Sequence, residues 1–600
     1  MRVLIRLFNR TNAIKWFNSF LIWRVNKLSD RNFLLILSVV VGVLSGLTAW
    51  ALKTGVFYMH NFFKGDLQFD PRNFRLIIYP FFGLLATFLF KQYIIKDHIS
   101  HNIASILHAI AKRNSLMRLH KIYSSVTGAI FTAGFGGSIG LESPIISSGT
   151  TIGSTIGKLF RLNYKSITLL LGCGAAGAIA AIFNTPIAGI VFALEVLLLD
   201  MNRFSLIPLL MASISGAITT ELLFADEILF EFTVQQDFMV KHLHFYVLLG
   251  VVAGGVSNYF TQTYMRIENF FDGIKNRMRR LFIGAPALGV LIFLFPAFYG
   301  EGYDIMKAML GGQANAVFTE SIFAHWLDAT WVFAAFFLAL ILLKVVATAL
   351  TTGSGGIGGI FAPSLFTGAV LGYLFAWINN LFNPDLLAVN NFALVGMASV
   401  LGGVLQAPLT GIFLIAEITS GYELIVPLMI ATTTSYVTSK ALSPHNIITS
   451  QLAKRGELVT HHKDKAVLHF LNLRKEVETD FFPISQEATL EGLVQAISLS
   501  QRNIFPVIDK EGFLVGIILL DDVREIMFNK DFYETSVLNL MHIPPAILNI
   551  SDSMATVIEK FNQTQAWNLP VCEKGRYIGF VSKSKLFSAY REKLMDITED

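Results

Sequence analysis

The sequence predicts a polytopic α-helical membrane protein built from two homologous halves and followed by a soluble α/β tail. Three observations carry that prediction. Of 600 residues, 53% are apolar and 15% charged, with a mean hydropathy of +0.56, which is more apolar material than the cores of a soluble chain of this length take up. Two motifs recur along the chain at nearly one offset. From about residue 455 the composition turns polar, and apolar residues fall into short strand-like runs.

Apolar runs long enough to cross a bilayer lie near 33–53, 75–92, 167–199, 207–224, 244–262, 281–300, 330–351, 392–417 and 424–441. Gly or Pro interrupts several of them. Broken backbone at membrane depth is tolerated only inside protein or beside a wet cavity, so these breaks point to re-entrant segments of a transport protein. The first 31 residues hold seven Arg or Lys against one acid, Asp30, without a signal-peptide cleavage pattern, which predicts a cytoplasmic N-terminus. The basic loop Lys275, Arg277, Arg279 and Arg280 falls on the same side. The net charge of +5 is thus assigned to orientation and lipid contact, and no nucleic-acid partner is expected. Cys173 and Cys572 are the only cysteines, which excludes a disulfide scaffold and a Cys-rich metal site; no metal is expected. Beyond the second run, the stretch 97–110 reads as a polar segment entering a helix, with Ser100 or Asn102 as its cap.

The stretch 134–153, GFGGSIGLESPIISSGTTIG, sets one acid, Glu142, among small and apolar residues. Its glycines allow a tight turn, and Pro144 suits a helix's first turn, so the stretch reads as a loop ending at a helix N-terminus, where free amides attract an anion or the Glu142 carboxylate itself. This motif recurs as GSGGIGGIFAPSLFTG, with Gly140 over Gly359 and Pro144 over Pro363, an offset of 219. The second motif, NTPIAGIVFALE at 184–195, recurs as QAPLTGIFLIAE at 406–417, with Pro186 over Pro408 and Glu195 over Glu417, an offset of 222. Two homologous halves meeting at a midplane site follow from this, in parallel or inverted orientation. An ionisable group at membrane depth is costly, so Glu142 reads as functional; the competing role is that of a first-turn acid stabilising its own helix. For Glu195 and Glu417 a repeated packing role weighs as much as transport. Lys344, alone in an apolar run, either snorkels to an interface or adds positive potential for an anion.

In the tail, IFPVID (504–509) and LVGIILLDD (514–522) are echoed by NLPVCE (568–573) and YIGFVSKSK (577–585). The chain therefore divides into a basic cytoplasmic segment (1–32), a transmembrane domain (33–455), a linker (456–477) and two soluble modules within 478–600, at about 478–530 and 537–596. Both termini are expected in the cytoplasm, at the plasma (inner) membrane if the source is bacterial.

On these residues the membrane part resembles the CLC family of chloride channels and proton-coupled chloride exchangers, and the tail resembles a pair of CBS modules. Gly140-Leu141-Glu142-Ser143-Pro144 stands where the family has GREGP or GKEGP, Gly359 to Pro363 is its GIFAP motif, and GYELIVPLM at 421–429 also matches. The resemblance implies a homodimer with one anion path per subunit, built from inverted halves with broken helices. It implies an anion, chloride first, held by the amides of Ile360 and Phe361 and by those around Gly140 and Leu141. Glu142 would be the gate, leaving the path when protonated.

The departures matter as much. Placed without gaps, the family's GSGIP serine falls at His101, and its second side-chain ligand, a tyrosine, falls at Ile448, which offers no hydroxyl. Leu141 replaces a basic residue. Where many exchangers place an internal proton-accepting glutamate after Glu195, this chain has Val196. The CBS signature for ribose is incomplete: Gly516 and Asp522 stand with Leu519 at the hydroxyl position, and Ser582 with Ser584 and Lys585 where the acid belongs. An adenine nucleotide is therefore unsupported, and no cofactor is expected. From Val196 the sequence reading prefers a passive anion channel gated by Glu142. A proton-coupled exchanger is the alternative, and a membrane sensor signalling through the CBS pair is the remote one. An enzyme is not expected, since no nucleophile and base pair appears at membrane depth.

Overall fold

The apolar runs fold as helices, and two of them break where the sequence places Asn-Thr-Pro and Gln-Ala-Pro. The computed structural model describes residues 19, 21–24, 26–64, 75–96, 103–197, 203–224, 238–312, 317, 321–323, 330–419, 422–454, 471 and 473–598. The chain divides into two units, Met1–Leu458 and Val459–Asp600.

In the first unit the helices are α1 (Asp30–Lys64), α2 (Arg75–Leu89), α3 (Ile103–Lys112), α4 (Lys121–Gly134), α5 (Glu142–Leu159), α6 (Tyr164–Phe183), α7 (Pro186–Glu195) and α8 (Arg203–Phe224). They continue as α9 (Leu243–Gly273), α10 (Arg277–Leu294), α11 (Tyr303–Leu310), α12 (Thr330–Gly353), α13 (Phe361–Phe382), α14 (Val389–Leu405), α15 (Pro408–Ile418), α16 (Ile425–Leu442) and α17 (Ile447–Lys454). Among the described residues, seven helical stretches are long and apolar enough to cross a membrane by length and composition. The break at 184–185 arises because Asn184 ends α6 at φ 57 and Pro186 opens α7. Gln406 at φ 54 and Pro408 repeat that break between α14 and α15. A left-handed residue ends the ladder, and a proline at the next helix's start forgoes an N–H that would be unpaired there.

The hydropathy runs do not include α5 and α13, the two helices that begin at the glycine motifs. Both are buried against protein, and the hydroxyls of α5 bond to its own backbone, as in Thr150 Oγ1 to the Ile146 carbonyl at 2.8 Å and Thr151 Oγ1 to that of Ser147 at 2.6 Å. Small residues there serve close approach. A Cβ on Gly149 would meet the Gly174 carbonyl of α6, and one on Gly368 the Gly396 carbonyl of α14, so equivalent glycines bring equivalent helix pairs together in both halves.

The helix partners show how the halves are related. In the first half α1 packs on α6 and α8, and α5 on α6; in the second, α9 packs on α14 and α16, and α13 on α14. Equivalent elements also meet each other: α2 packs on α10, and α7 on α15. The glycine motifs pair as an antiparallel bridge, Gly140 with Gly359, which resolves the open orientation as an inverted repeat.

Across the α7–α15 contact the two repeated acids exchange partners. Glu195, at the end of α7, accepts from the amides of Leu409 (3.2 Å) and Thr410 (2.8 Å) and from Thr410 Oγ1 (2.7 Å). Glu417, near the end of α15, accepts from the amides of Ile187 (3.0 Å) and Ala188 (2.7 Å). Each carboxylate caps the other half's helix, satisfying amides that the first turn leaves free.

The second unit holds two three-stranded sheets. β1 (Ile484–Ser485) pairs parallel with β2 (Ile504–Ile508), which pairs antiparallel with β3 (Leu514–Leu519). β4 (Leu548–Asn549), β5 (Asn568–Glu573) and β6 (Arg576–Ser582) repeat that arrangement, with Leu548 opposite Val571 as Ile484 is opposite Val507. Each sheet encloses its own apolar cluster, around Phe505 and Ile518 in one and Phe561 and Val581 in the other. The modules interlock, because the Glu478 backbone bridges to Phe580. Arg502 reaches both Glu478 and Asp480 at 2.8 Å and lies over the Phe481 ring. The hydrogen bond from Arg502 holds the Asp480 carboxyl below its usual range.

The exchanged caps predict that Glu195→Ala and Glu417→Ala each lower stability by about 1–3 kcal/mol, because buried amides lose a charged acceptor. Thermal unfolding of the purified protein in detergent measures this, with Glu→Gln at either position falling between the alanine variant and the parent. An unchanged midpoint would show that the carboxylates do not brace the halves.

Candidate functional site

The site is built where the inverted halves meet. The loop 135–141 joins α4 to α5 and turns at Gly136, whose φ of 89 is open to glycine and whose missing side chain leaves room for the Tyr299 ring. Two backbone hydrogen bonds, Gly140 N to Gly359 O at 2.9 Å and Gly359 N to Gly140 O at 2.8 Å, then tie this loop to its repeat. The bridge sets the first turns of α5 and α13 side by side. Both turns carry amides without intrahelical acceptors and the positive end of a helix dipole, and Leu141 and Ile360 are their buried N-caps.

Glu142 opens α5 and is fully buried. Its Oε1 accepts a hydrogen bond of 2.6 Å from the Tyr303 hydroxyl, at the start of α11. Oε2 has no hydrogen-bond partner among the described residues. It lies against Gly140, where a Cβ would collide with it, and the Ala362 amide nitrogen of α13 is 3.0 Å from that same point. The carboxyl therefore lies at the repeat boundary, between the first turn of its own helix and the amide end of α13.

Around it the walls are apolar. Phe361 stacks on Phe183 at 5.7 Å and meets Phe192 edge-on at 6.4 Å, and the Tyr303 ring stands 6.4 Å from Phe183. Lys344 does not snorkel. It is fully buried on α12, donates to Ser138 Oγ in the glycine loop at 3.0 Å, and lies 4.7 Å from the Phe366 ring centroid of α13, which leaves the positive-potential reading. Glu301, half-buried before α11, interacts electrostatically with Glu142, Lys53, Asp304 and Lys344.

Of the residues singled out in the sequence, the structure brings Gly140, Leu141, Glu142, Gly359, Ile360 and Phe361 together. Ile448 lies on α17, buried in the same apolar cluster as Ile360 and Phe361, and contributes only carbon surface. His101 lies outside the described residues, as do its neighbours Ser100 and Asn102; helix α3 is described from Ile103. Val196 is buried at the end of α7, its N–H bonded to the Phe192 carbonyl at 2.9 Å. Sequence reasoning missed Tyr303. Its surroundings, EGYDIM, hold no repeat counterpart or spacing signal, and its role comes from where the α10–α11 connection docks. Among the described residues no group of three or more His, Cys, Asp or Glu side chains could hold a metal ion.

Chemically, the site sets two helix N-termini, a buried lysine and one buried carboxyl close together behind apolar walls.

Comparison with known proteins agrees with this architecture. The family model described as voltage gated chloride channel matches residues 82–440, and the CBS domain model matches residues 537–592. The ClcB-like chloride channel protein of Ralstonia nicotianae is 29% identical over 391 residues, covering 64% of this chain and 86% of that protein. The crystal structure of a CLC-type fluoride/proton antiporter aligns with a TM-score of 0.58 at 26% identity, over 70% of this chain and 97% of that one. That of a slow cyanobacterial chloride/proton antiporter aligns with a TM-score of 0.59 at 21% identity, over 72% and 99%. With a matched region this long, and with the glycine motifs at its centre, the chain belongs to the voltage gated chloride channel (CLC) family and carries a CBS-type unit behind its membrane domain.

Proposed function

We propose that this protein is a proton-coupled anion exchanger, with chloride as the reading for its anion and Glu142 as the group that takes up the proton. The observation that carries it is the Glu142 carboxyl set between the amide ends of α5 and α13, one oxygen held by Tyr303 and the other open. Anion transport is common to the family; coupling to protons is the finer part of the reading. The sequence reading preferred passive conduction because Val196 cannot relay a proton. The 26%-identical structural neighbour is a fluoride/proton antiporter, which favours exchange, and protons then reach Glu142 by a route other than Val196.

In this reading Gly140 and Leu141 flank the outer anion position, and Gly359, Ile360 and Phe361 the central one. His101 and Ile448 stand where the family's inner side-chain ligands would be. With carbon surface alone at Ile448, backbone amides carry most of the anion's coordination. The protein works in a bilayer as a homodimer with a path in each subunit and both termini in the cytoplasm, without enzymatic activity. The CBS modules serve assembly or regulation without a bound nucleotide. Support for that comes from Asp522, which accepts from the Leu519 amide and faces His542, and from Ser582 Oγ, which accepts from the Lys585 amide and donates to Glu478.

Simultaneous recording of anion efflux and external pH in liposomes clamped with a potassium ionophore tests the proposal. Chloride leaving down its gradient should alkalinise the exterior. Glu142→Gln should stop proton movement while anions still pass. Efflux from the parent without proton movement against a gradient would return the reading to a passive channel. Running fluoride beside chloride under the same clamp measures selectivity, and chloride is expected to move at least as fast.

A further inference from the structure

The segment between α10 and α11 touches the gate loop at each of its ends. At its start, the Tyr299 ring fills the space beside Gly136, and the Gly300 amide donates to the Gly136 carbonyl at 3.3 Å. At its end, the Tyr303 hydroxyl donates to Glu142 Oε1 at 2.6 Å. Between them, Gly300 and Gly302 take φ values of 67 and 93, a left-handed geometry that leaves little choice of residue and folds Glu301 back toward the site. A Cβ on Gly302 would stand 3.5 Å from Lys344 Nζ, and that lysine bonds to Ser138 of the same gate loop. The clasp is thus held to the first repeat by backbone, ring and side-chain contacts together.

We infer that Tyr303 is a latch for the gate: its hydroxyl holds the ionised Glu142 carboxylate in the anion path and so sets the external pH at which the path opens. This deepens the exchanger reading and rests on Glu142 being the gate. A neutral phenol donating to a carboxylate at this distance stabilises the ionised form, and it loses much of that interaction once the carboxyl is protonated. Phe183 and Phe361 exclude water that would otherwise replace the bond, which strengthens it. The other charged groups facing the pocket act on the same balance. Glu301, from the clasp itself, repels the ionised carboxylate; Lys344 from α12 and Lys53 from α1 interact with Glu301, as does Asp304 from α11. The latch is a positioning residue, since it acts through Glu142 on the path that the anion uses.

The test is anion efflux against external pH in liposomes for the parent, Tyr303→Phe, Glu301→Gln, Glu142→Gln and the double variant Tyr303→Phe with Glu142→Gln. Tyr303→Phe keeps the ring against Phe183 and removes the donor. It should raise the pH of half-maximal flux by about 1–2 units, the equivalent of one hydrogen bond to a charged group, and increase flux on the alkaline side. Glu301→Gln removes a repulsion and should move the midpoint the opposite way. The double variant should match Glu142→Gln, whose flux no longer follows pH. A Tyr303→Phe profile that overlays the parent's while Glu142→Gln abolishes the pH response overturns the latch and leaves the gate standing. A Glu142→Gln protein that keeps the parent's pH response overturns the gate, and the latch with it. Gel filtration and thermal midpoints of each variant show that the differences do not come from unfolding.

Discussion

Two hydrogen bonds between Gly140 and Gly359 are the constraint on which the functional site depends. They join equivalent irregular segments of the two repeats, and they do so antiparallel, as an inverted repeat requires. Backbone polar groups inside a membrane protein must find partners within it. By pairing with each other, the two glycine segments set the first turns of α5 and α13 side by side. A pocket with positive character follows from that pairing without any charged side chain.

The placement of Glu142 follows from the same geometry. The carboxyl opening α5 lies beside the end of α13, which the bridge brings near, and the hydroxyl of Tyr303, which the α10–α11 connection brings. Gly140 has to be glycine for a second reason here, since a side chain on it would take the space of Oε2. Burying an ionised carboxyl is costly unless its acceptor capacity is met. One oxygen is met by Tyr303 and the other is left open, so the balance between charged and neutral forms depends on a small number of neighbours. In the proposed exchanger such a group serves as the gate. Glu195 and Glu417 show the contrast: their carboxylates are saturated by amides of the opposite half, and they hold the α7–α15 contact together.

Val196 and Ile448 bear on mechanism through what they lack. Both are buried in apolar surroundings, where neither can bind a proton or donate to an anion. In the proposed reading, where backbone amides recognise the anion, selectivity depends on the size of the space around Phe183, Phe192 and Phe361. In the proposed exchanger, proton transfer rests on Glu142, Tyr303 and Glu301, which lie at the starts of α5 and α11 and in the turn before α11.

Much of the architecture was legible in the sequence because it is carried by local composition and by repetition. Apolar runs named most of the spanning helices, and Asn-Thr-Pro and Gln-Ala-Pro marked the breaks. The two offsets near 220 residues announced the halves, and the glycine loop before a proline that holds Glu142 marked where they meet. The tail's paired β-runs likewise foretold two similar modules. What hydropathy hid was α5, because a helix that faces protein on all sides can be rich in Ser, Thr and Gly; α13 is apolar enough to span. The orientation of the halves, the exchange of caps between Glu195 and Glu417, the burial of Lys344 beneath the gate loop and the Tyr303–Glu142 bond were decided by tertiary structure alone. Each joins residues more than 150 positions apart, or depends on which way a side chain leaves its helix, and no periodicity or motif spacing encodes such a meeting.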